Sequence, residues 1–122
     1  MGIEPDIRVN KIVSPSTGRD FFLQGLFFQN GCFLVISEGE EQQRIGALSV
    51  AISTSNKVNI AKVIPSKYDS IFINTIAEKI SSMINGICLV SFYSKAQLQL
   101  EDMKAIMGEV MNIIDNRKNK KG

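Results

Sequence analysis

The sequence predicts an α+β domain: a mostly antiparallel six-stranded sheet with two helices packed on one face, in the order βββββαβα. Three observations predict it. Five strand-like segments precede any helical pattern, and the apolar period then changes from two to about 3.6 near Asp69. A single apolar run, Ile87–Tyr93, separates the two helical stripes that follow.

The elements can be justified in order. Ile7–Val13 alternates weakly and ends in the turn residues Ser14-Pro15-Ser16-Thr17-Gly18. Asp20–Phe28 is the second strand, and Asn30-Gly31 before the third, Cys32–Ser37, is a hairpin signal because both residues tolerate positive φ. Glu38–Arg44 is wholly polar and reads as a solvated loop. Ile45–Ile52 and Val58–Ile64 are the fourth and fifth strands, the last closed by Pro65. Ile73, Ile76, Ala77, Ile80 and Ile84 then form one helical stripe over Asp69–Ile84. Asp69 or Ser70 can cap its start, and Asn85-Gly86 supplies a left-handed stop. After the sixth strand, Leu100-Glu101-Asp102 opens a helix with acid in its first turn, carrying the stripe Met103, Ile106, Met107, Val110 and Ile114. Residues 1–116 make a single domain, and the basic segment Arg117–Gly122, with no apolar residue to bury, reads as a frayed, disordered tail.

Composition narrows the function classes. A chain of 122 residues, 44% hydrophobic and 21% charged, fits one ordinary globular domain. Its apolar runs are too short to span a bilayer and no charged-then-apolar leader opens it, so the cytoplasm is the expected location, with the nucleus as the alternative. The net charge of +2 includes four basic residues in the tail, and the remaining 10 basic and 12 acidic groups balance at −2. Four positive charges without interleaved aromatics are a thin nucleic-acid signal, so no nucleic-acid partner is expected. There is no histidine, which removes the commonest general base and metal ligand. Cys32 and Cys88 sit inside apolar runs and read as small buried hydrophobes, not as a zinc site or a thiolate. Glu38, Glu40 and Glu41 cluster on a polar loop that lacks the burial acid catalysis requires, and no glycine pattern cradles a phosphate. No catalytic, cofactor or metal residue is assigned, and enzymatic activity is not expected.

The strands are apolar on both faces, which is the informative anomaly. Phe21, Leu23 and Phe27 fall on one side of the second strand and Phe22, Leu26 and Phe28 on the other, while Cys32–Ile36 has no polar residue at all. Six strands about 4.8 Å apart make a sheet roughly 25 Å wide, and two helices of about 10 Å each cover one face of it. A partner protein over the second face resolves the deficit; a sheet curled into a half-barrel is the alternative. In the fourth strand the bulkier Leu48, Val50 and Ile52 are expected under the helices, with Ala47, Ser49 and Ala51 outward. Gln24 marks the outward side of the second strand and Ser91 that of the sixth. The candidate dimer interface is therefore Phe22, Gln24, Leu26, Phe28, Ser49, Leu89, Ser91 and Tyr93.

From Arg19 to Ile114 the chain resembles the small proteasome-assembly chaperones, the third and fourth of the eukaryotic set, and the third more closely. The resemblance runs through the paired strands Phe21–Phe28 and Cys32–Ser37, the polar loop, and the entry Arg44-Ile45-Gly46-Ala47-Leu48. It continues through Lys62-Val63-Ile64, the helix Ile71–Ile84, the strand Cys88–Phe92 and the helix Leu100–Ile114. It implies a dimer, with a second copy or a paralogous chaperone, that binds a 20S proteasome α-subunit without catalysis. Other chaperones of that pathway end in a hydrophobic-tyrosine-X motif; this chain ends Asn119-Lys120-Lys121-Gly122, as expected for the third and fourth members. The reading from another class is a scaffold subunit of the roadblock or longin type in a signalling or trafficking complex, although those folds set a helix between the early strands.

Overall fold

The computed structural model describes residues 6–39, 44–55 and 57–120. Its elements are β1 (Asp6–Val13), β2 (Asp20–Phe28), β3 (Gly31–Glu38), β4 (Ala47–Thr54), β5 (Lys57–Ile64), α1 (Ser70–Ile84), β6 (Ile87–Tyr93) and α2 (Leu100–Lys120). The strands form one six-stranded sheet in the order β1-β2-β3-β6-β4-β5. All neighbours pair antiparallel except β3 and β6, which run parallel from Gly31↔Ile87 to Ser37↔Tyr93.

That one parallel pair explains the connections. β5 and β6 are both antiparallel to β4, hence parallel to each other, and parallel strands need a long crossover. α1 is that crossover, and it lies over β4 and β6. β6 thereby inserts between β3 and β4, so the polar stretch after Glu38 joins two strands that are not neighbours. Of the Glu38, Glu40 and Glu41 cluster, Glu40 and Glu41 lie outside the described residues.

Both helices cover the same face. Ile73, Ile76, Ala77 and Ile80 of α1 and Ile106, Val110, Ile113 and Ile114 of α2 are buried, as their helical spacing predicts. Beneath them lie Phe21, Leu23, Leu34, Ile36, Val90 and Phe92 of the sheet. Phe92 meets Phe21 at 6.5 Å between ring centroids and Phe72 of α1 edge-on at 6.1 Å, tying the central strand to the crossover helix.

Local details depart from the sequence expectation in four places. Neither Asn30 nor Gly31 adopts positive φ; the two-residue loop is Gln29-Asn30, with Phe28 paired to Gly31. Glycine is required there for a different reason, because a Cβ at Gly31 would lie 2.2 Å from the Ile87 carbonyl oxygen. Asp69 does not cap α1 with its side chain: it sits left-handed at φ 58°, and its carboxylate accepts the Leu98 N–H at 2.9 Å. Asn85 does close α1 in the left-handed conformation, as expected. Third, α2 runs on to Lys120, so the helix extends into the segment Arg117–Gly122 that reads as a frayed tail. Lys121 and Gly122 lie outside the described residues.

The fourth departure concerns β4. Ser49 and Ala51 are buried under α1, and the Ser49 hydroxyl donates to Asn74 Oδ1 at 3.0 Å. The small side of β4 therefore faces the helix, and Leu48, Val50 and Ile52 point away from it. The expectation equated bulk with burial. A helix that crosses directly over a strand needs small residues beneath it, and α1 supplies the bulky isoleucines itself.

Candidate functional site

None of the described elements covers the sheet face opposite the helices. Strand alternation places Phe22, Gln24, Leu26 and Phe28 of β2 there, with Phe33 and Val35 of β3. Ile87, Leu89, Ser91 and Tyr93 of β6 and Leu48, Val50 and Ile52 of β4 complete it. Most of these side chains are half-buried against one another, while Phe28 is 52% and Ile52 41% exposed. Across β2, β3, β6 and β4 the only charged side chain on this face is Asp20 at one corner, 3.9 Å from Lys11 of β1. With six strands about 4.8 Å apart and eight residues each rising about 3.4 Å, the face measures roughly 24 by 27 Å, about 650 Å². Beside the β2–β3 turn, Phe28, Phe33, Ile87 and Leu89 frame an apolar hollow of about 270 Å³, large enough for one inserted side chain.

Of the eight residues assigned to an interface, six stand on this face as accessible or half-buried side chains: Phe22, Gln24, Leu26, Phe28, Leu89 and Tyr93. Ser49 does not; it belongs to the helix side for the reason given above. Ser91 is on the uncovered side but fully buried, because the segment before β4 folds over it and the Gly46 N–H donates to its hydroxyl at 3.1 Å. The sequence reading passed over Phe33 and Val35, although the unbroken apolar run Cys32–Ile36 was the signal for them. It also passed over Leu48, Val50 and Ile52, which side-chain size had assigned to the core.

The titratable groups elsewhere are committed to structure. Arg19 donates through Nε and Nη2 to both oxygens of Glu38, at 3.0 and 2.7 Å, and through Nη1 to Asp102 at 3.2 Å. Its remaining N–H groups reach the carbonyls of Gln97 and Ala96 at 2.9 and 3.0 Å. Asp102, fully buried, also accepts the Thr17 hydroxyl at 2.6 Å and the Gln99 N–H at 2.8 Å, which caps α2. Burial by itself pushes both carboxyls up, but the hydrogen bonds and the Arg19 charge outweigh it and hold both below their ordinary values. Such carboxylates anchor loops and do not donate protons. Cys32 and Cys88, paired across β3 and β6, lie 3.8 Å apart at sulfur, and hydrogen bonding to Cys32 together with burial drives the Cys88 thiol far up. Burial and the bond to Cys32 thus favour the protonated thiol, whereas it is the thiolate that serves as nucleophile or metal ligand. Among the described residues no cluster of His, Cys, Asp and Glu could hold a metal, and no helix is long and apolar enough to cross a membrane.

Comparison with known proteins places the fold. No family model matches the sequence, and no curated protein does. Among solved structures, the chain is similar to a component of a chaperone complex for yeast 20S proteasome assembly, with a TM-score of 0.67. The two share 15% of their residues, over 98% of this chain and 100% of the other, so the likeness is one of fold along the whole domain.

Proposed function

We propose that this chain is a non-enzymatic chaperone of 20S proteasome assembly, acting in the cytoplasm as a dimer that holds an α-subunit in a productive position. The observation that carries the reading is the uncovered apolar face on a fold shared end to end with a proteasome-assembly chaperone. A face of roughly 650 Å² lies within the range that one partner contributes to a standard stable interface, about 600–1,000 Å². The near-absence of charge across its four inner strands suits a second copy or a paralogue, because a two-fold contact sets each patch against its own likeness and a charged patch would repel itself. The remaining surface is then free to hold the α-subunit. Five strands precede α1, which speaks against the roadblock or longin scaffold, where a helix intervenes earlier.

Two measurements test this. Sedimentation at tens of micromolar should show a dimer; a monomer would refute the assignment of the sheet face to self-association. Affinity capture from lysate followed by mass spectrometry should recover α-type proteasome subunits, whereas GTPases or trafficking factors in their place would overturn the chaperone reading.

A further inference from the structure

At one end of the sheet the chain builds a second, chemically different surface. A cleft of about 340 Å³ opens between the segment entering β4 and the loop after β5, with walls that include Ile45, Ile64, Pro65, Tyr68 and Tyr93. Among the described residues, the only charged one lining it is Lys67, whose ammonium sits 5.6 Å from the centre of the Tyr68 ring. Next to the cleft, the Arg44 guanidinium sits 5.4 Å from the centre of the Tyr93 ring. The chain's two tyrosines both line the cleft, and each carries a cation. Neither Arg44 nor Lys67 is engaged by a carboxylate among the described residues.

Both rims are held in place. The buried hydroxyl of Ser37 accepts the Arg44 N–H and that of Ser91 accepts the Gly46 N–H, each at 3.1 Å. Glycine is needed at the second position, since a Cβ there would lie 2.2 Å from the Phe92 carbonyl oxygen. Between these two anchored residues Ile45 is left 72% exposed. On the other rim the Ser66 hydroxyl accepts the Tyr68 N–H at 3.1 Å and donates to the Tyr68 carbonyl, which fixes the loop that carries Lys67. An exposed isoleucine on an ordered backbone, flanked by tyrosine and arginine, has the make-up of an interface hot spot. Two serines buried under that backbone mean that little ordering entropy remains to be lost on binding.

We infer that this cleft is a docking site for an acidic peptide segment of a partner protein, its apolar side chain seated against Ile45 and Ile64 and its carboxylates meeting Arg44 and Lys67. Charge complementarity selects the occupant: two cations without carboxylate partners among the described residues, beside an apolar floor, favour acid next to an apolar anchor and disfavour basic or neutral segments. The site does not depend on the proteasome reading, and it stands at the end of the sheet, where it shares Tyr93 with the uncovered face.

The test uses the full chain and a short fluorescein-labelled peptide of glutamates and aspartates around a central Leu-Phe pair. Anisotropy should show saturable binding that weakens as salt rises from about 50 to about 300 mM, where screening is several-fold stronger. Arg44→Glu with Lys67→Glu should weaken it by roughly tenfold or more, as reversal of close charge pairs does. Arg44→Met, which keeps the cover over Tyr93, should weaken it in the same direction, so a folding defect cannot imitate the result. Lys57→Glu with Lys62→Glu, the same charge change on the exposed edge strand, should leave binding within about twofold. The inference fails if no saturable binding occurs, if the Gln and Asn counterpart of the peptide binds equally well, or if the edge-strand control loses as much. It also fails if Arg44→Glu dissociates a dimer while peptide binding is unchanged, which would make the cleft a contact between copies.

Discussion

Replacing Arg19 with methionine should destabilise the fold severely, although the residue lies far from the uncovered face. The side chain is 18% exposed, and its partners Glu38 and Asp102 are 10% and 0% exposed. Arg19 joins the start of β2, the end of β3 and the first turn of α2, and every one of its N–H donors is used. Methionine fills much of the volume but leaves two buried carboxylates without their cation. Removing one partner of a buried pair typically costs about 3–5 kcal/mol, and the partial exposure of Arg19 argues for the lower end. For a domain of this size about 3 kcal/mol lowers the melting temperature by roughly 10 °C. Adding Glu38→Gln to the variant should restore about 1–2 kcal/mol, since it removes one of the stranded charges. The pH dependence has a definite sign. Both carboxyls are held below their ordinary values in the folded chain, so their stabilisation is complete above the unfolded values and is lost as pH falls through the folded ones. The wild type should therefore lose stability below about pH 4, and the gap between wild type and Arg19→Met should narrow there. Thermal melts at pH 7 and pH 3 by circular dichroism decide it. A variant melting within about 2 °C of wild type at pH 7, or an unchanged gap at pH 3, would refute the reasoning.

Three further outcomes follow from the assignment of faces. Leu26→Glu sets a charge in the middle of the uncovered face and should give a folded chain that sediments as a monomer or aggregates; a dimer of wild-type affinity would show that the contact lies elsewhere. Ser49→Leu overfills the space under α1 and should cost about 1–3 kcal/mol in urea unfolding, whereas Val50→Ser on the other side of the same strand should weaken self-association more than it weakens the fold. Truncation after Asn116 removes the end of α2 beyond the buried Ile113 and Ile114 and should change the melting temperature by no more than a few degrees; a larger loss would mean that the basic turn is docked.

The fold was legible where periodicity alone decides. The stripe from Ile73 to Ile84 and the doubly apolar run Cys32–Ile36 name a helix and a central strand without ambiguity, and the order of elements follows from them. Strand order was not legible, because nothing in the residues of β6 says that it inserts between β3 and β4; that depends on α1 carrying the chain back across β4. Gly31 and Ser49 show how a right signal can have a different cause. Asn30-Gly31 marked the hairpin, yet the glycine answers the close approach of Ile87. Alternation along β4 was read correctly in period and inverted in sense, since size was taken for depth. The bonds from Ser37 and Ser91 to the backbone at Arg44 and Gly46 were invisible for the same reason: a serine in a strand reads as an outward polar residue until something is laid over it.

The distribution of apolar residues across the sheet points to where a partner would sit. A central parallel strand flanked on both edges is usually apolar on both faces because both faces are covered, and β3 and β6 have that character here with helices on one side only. Moving outward, the pattern fades: β5 at one edge is exposed along nearly its whole length and carries Lys57 and Lys62, as an edge strand that must avoid chance pairing does. A curled half-barrel would close edge toward edge and bury β1 and β5 most deeply. The gradient runs the other way, deepest at β3 and β6 and weakest at β5, which is the pattern expected of a flat contact centred on the parallel pair. An apolar hollow framed by Phe28, Phe33, Ile87 and Leu89 at the foot of that pair would offer a partner on this face a place for an anchoring side chain.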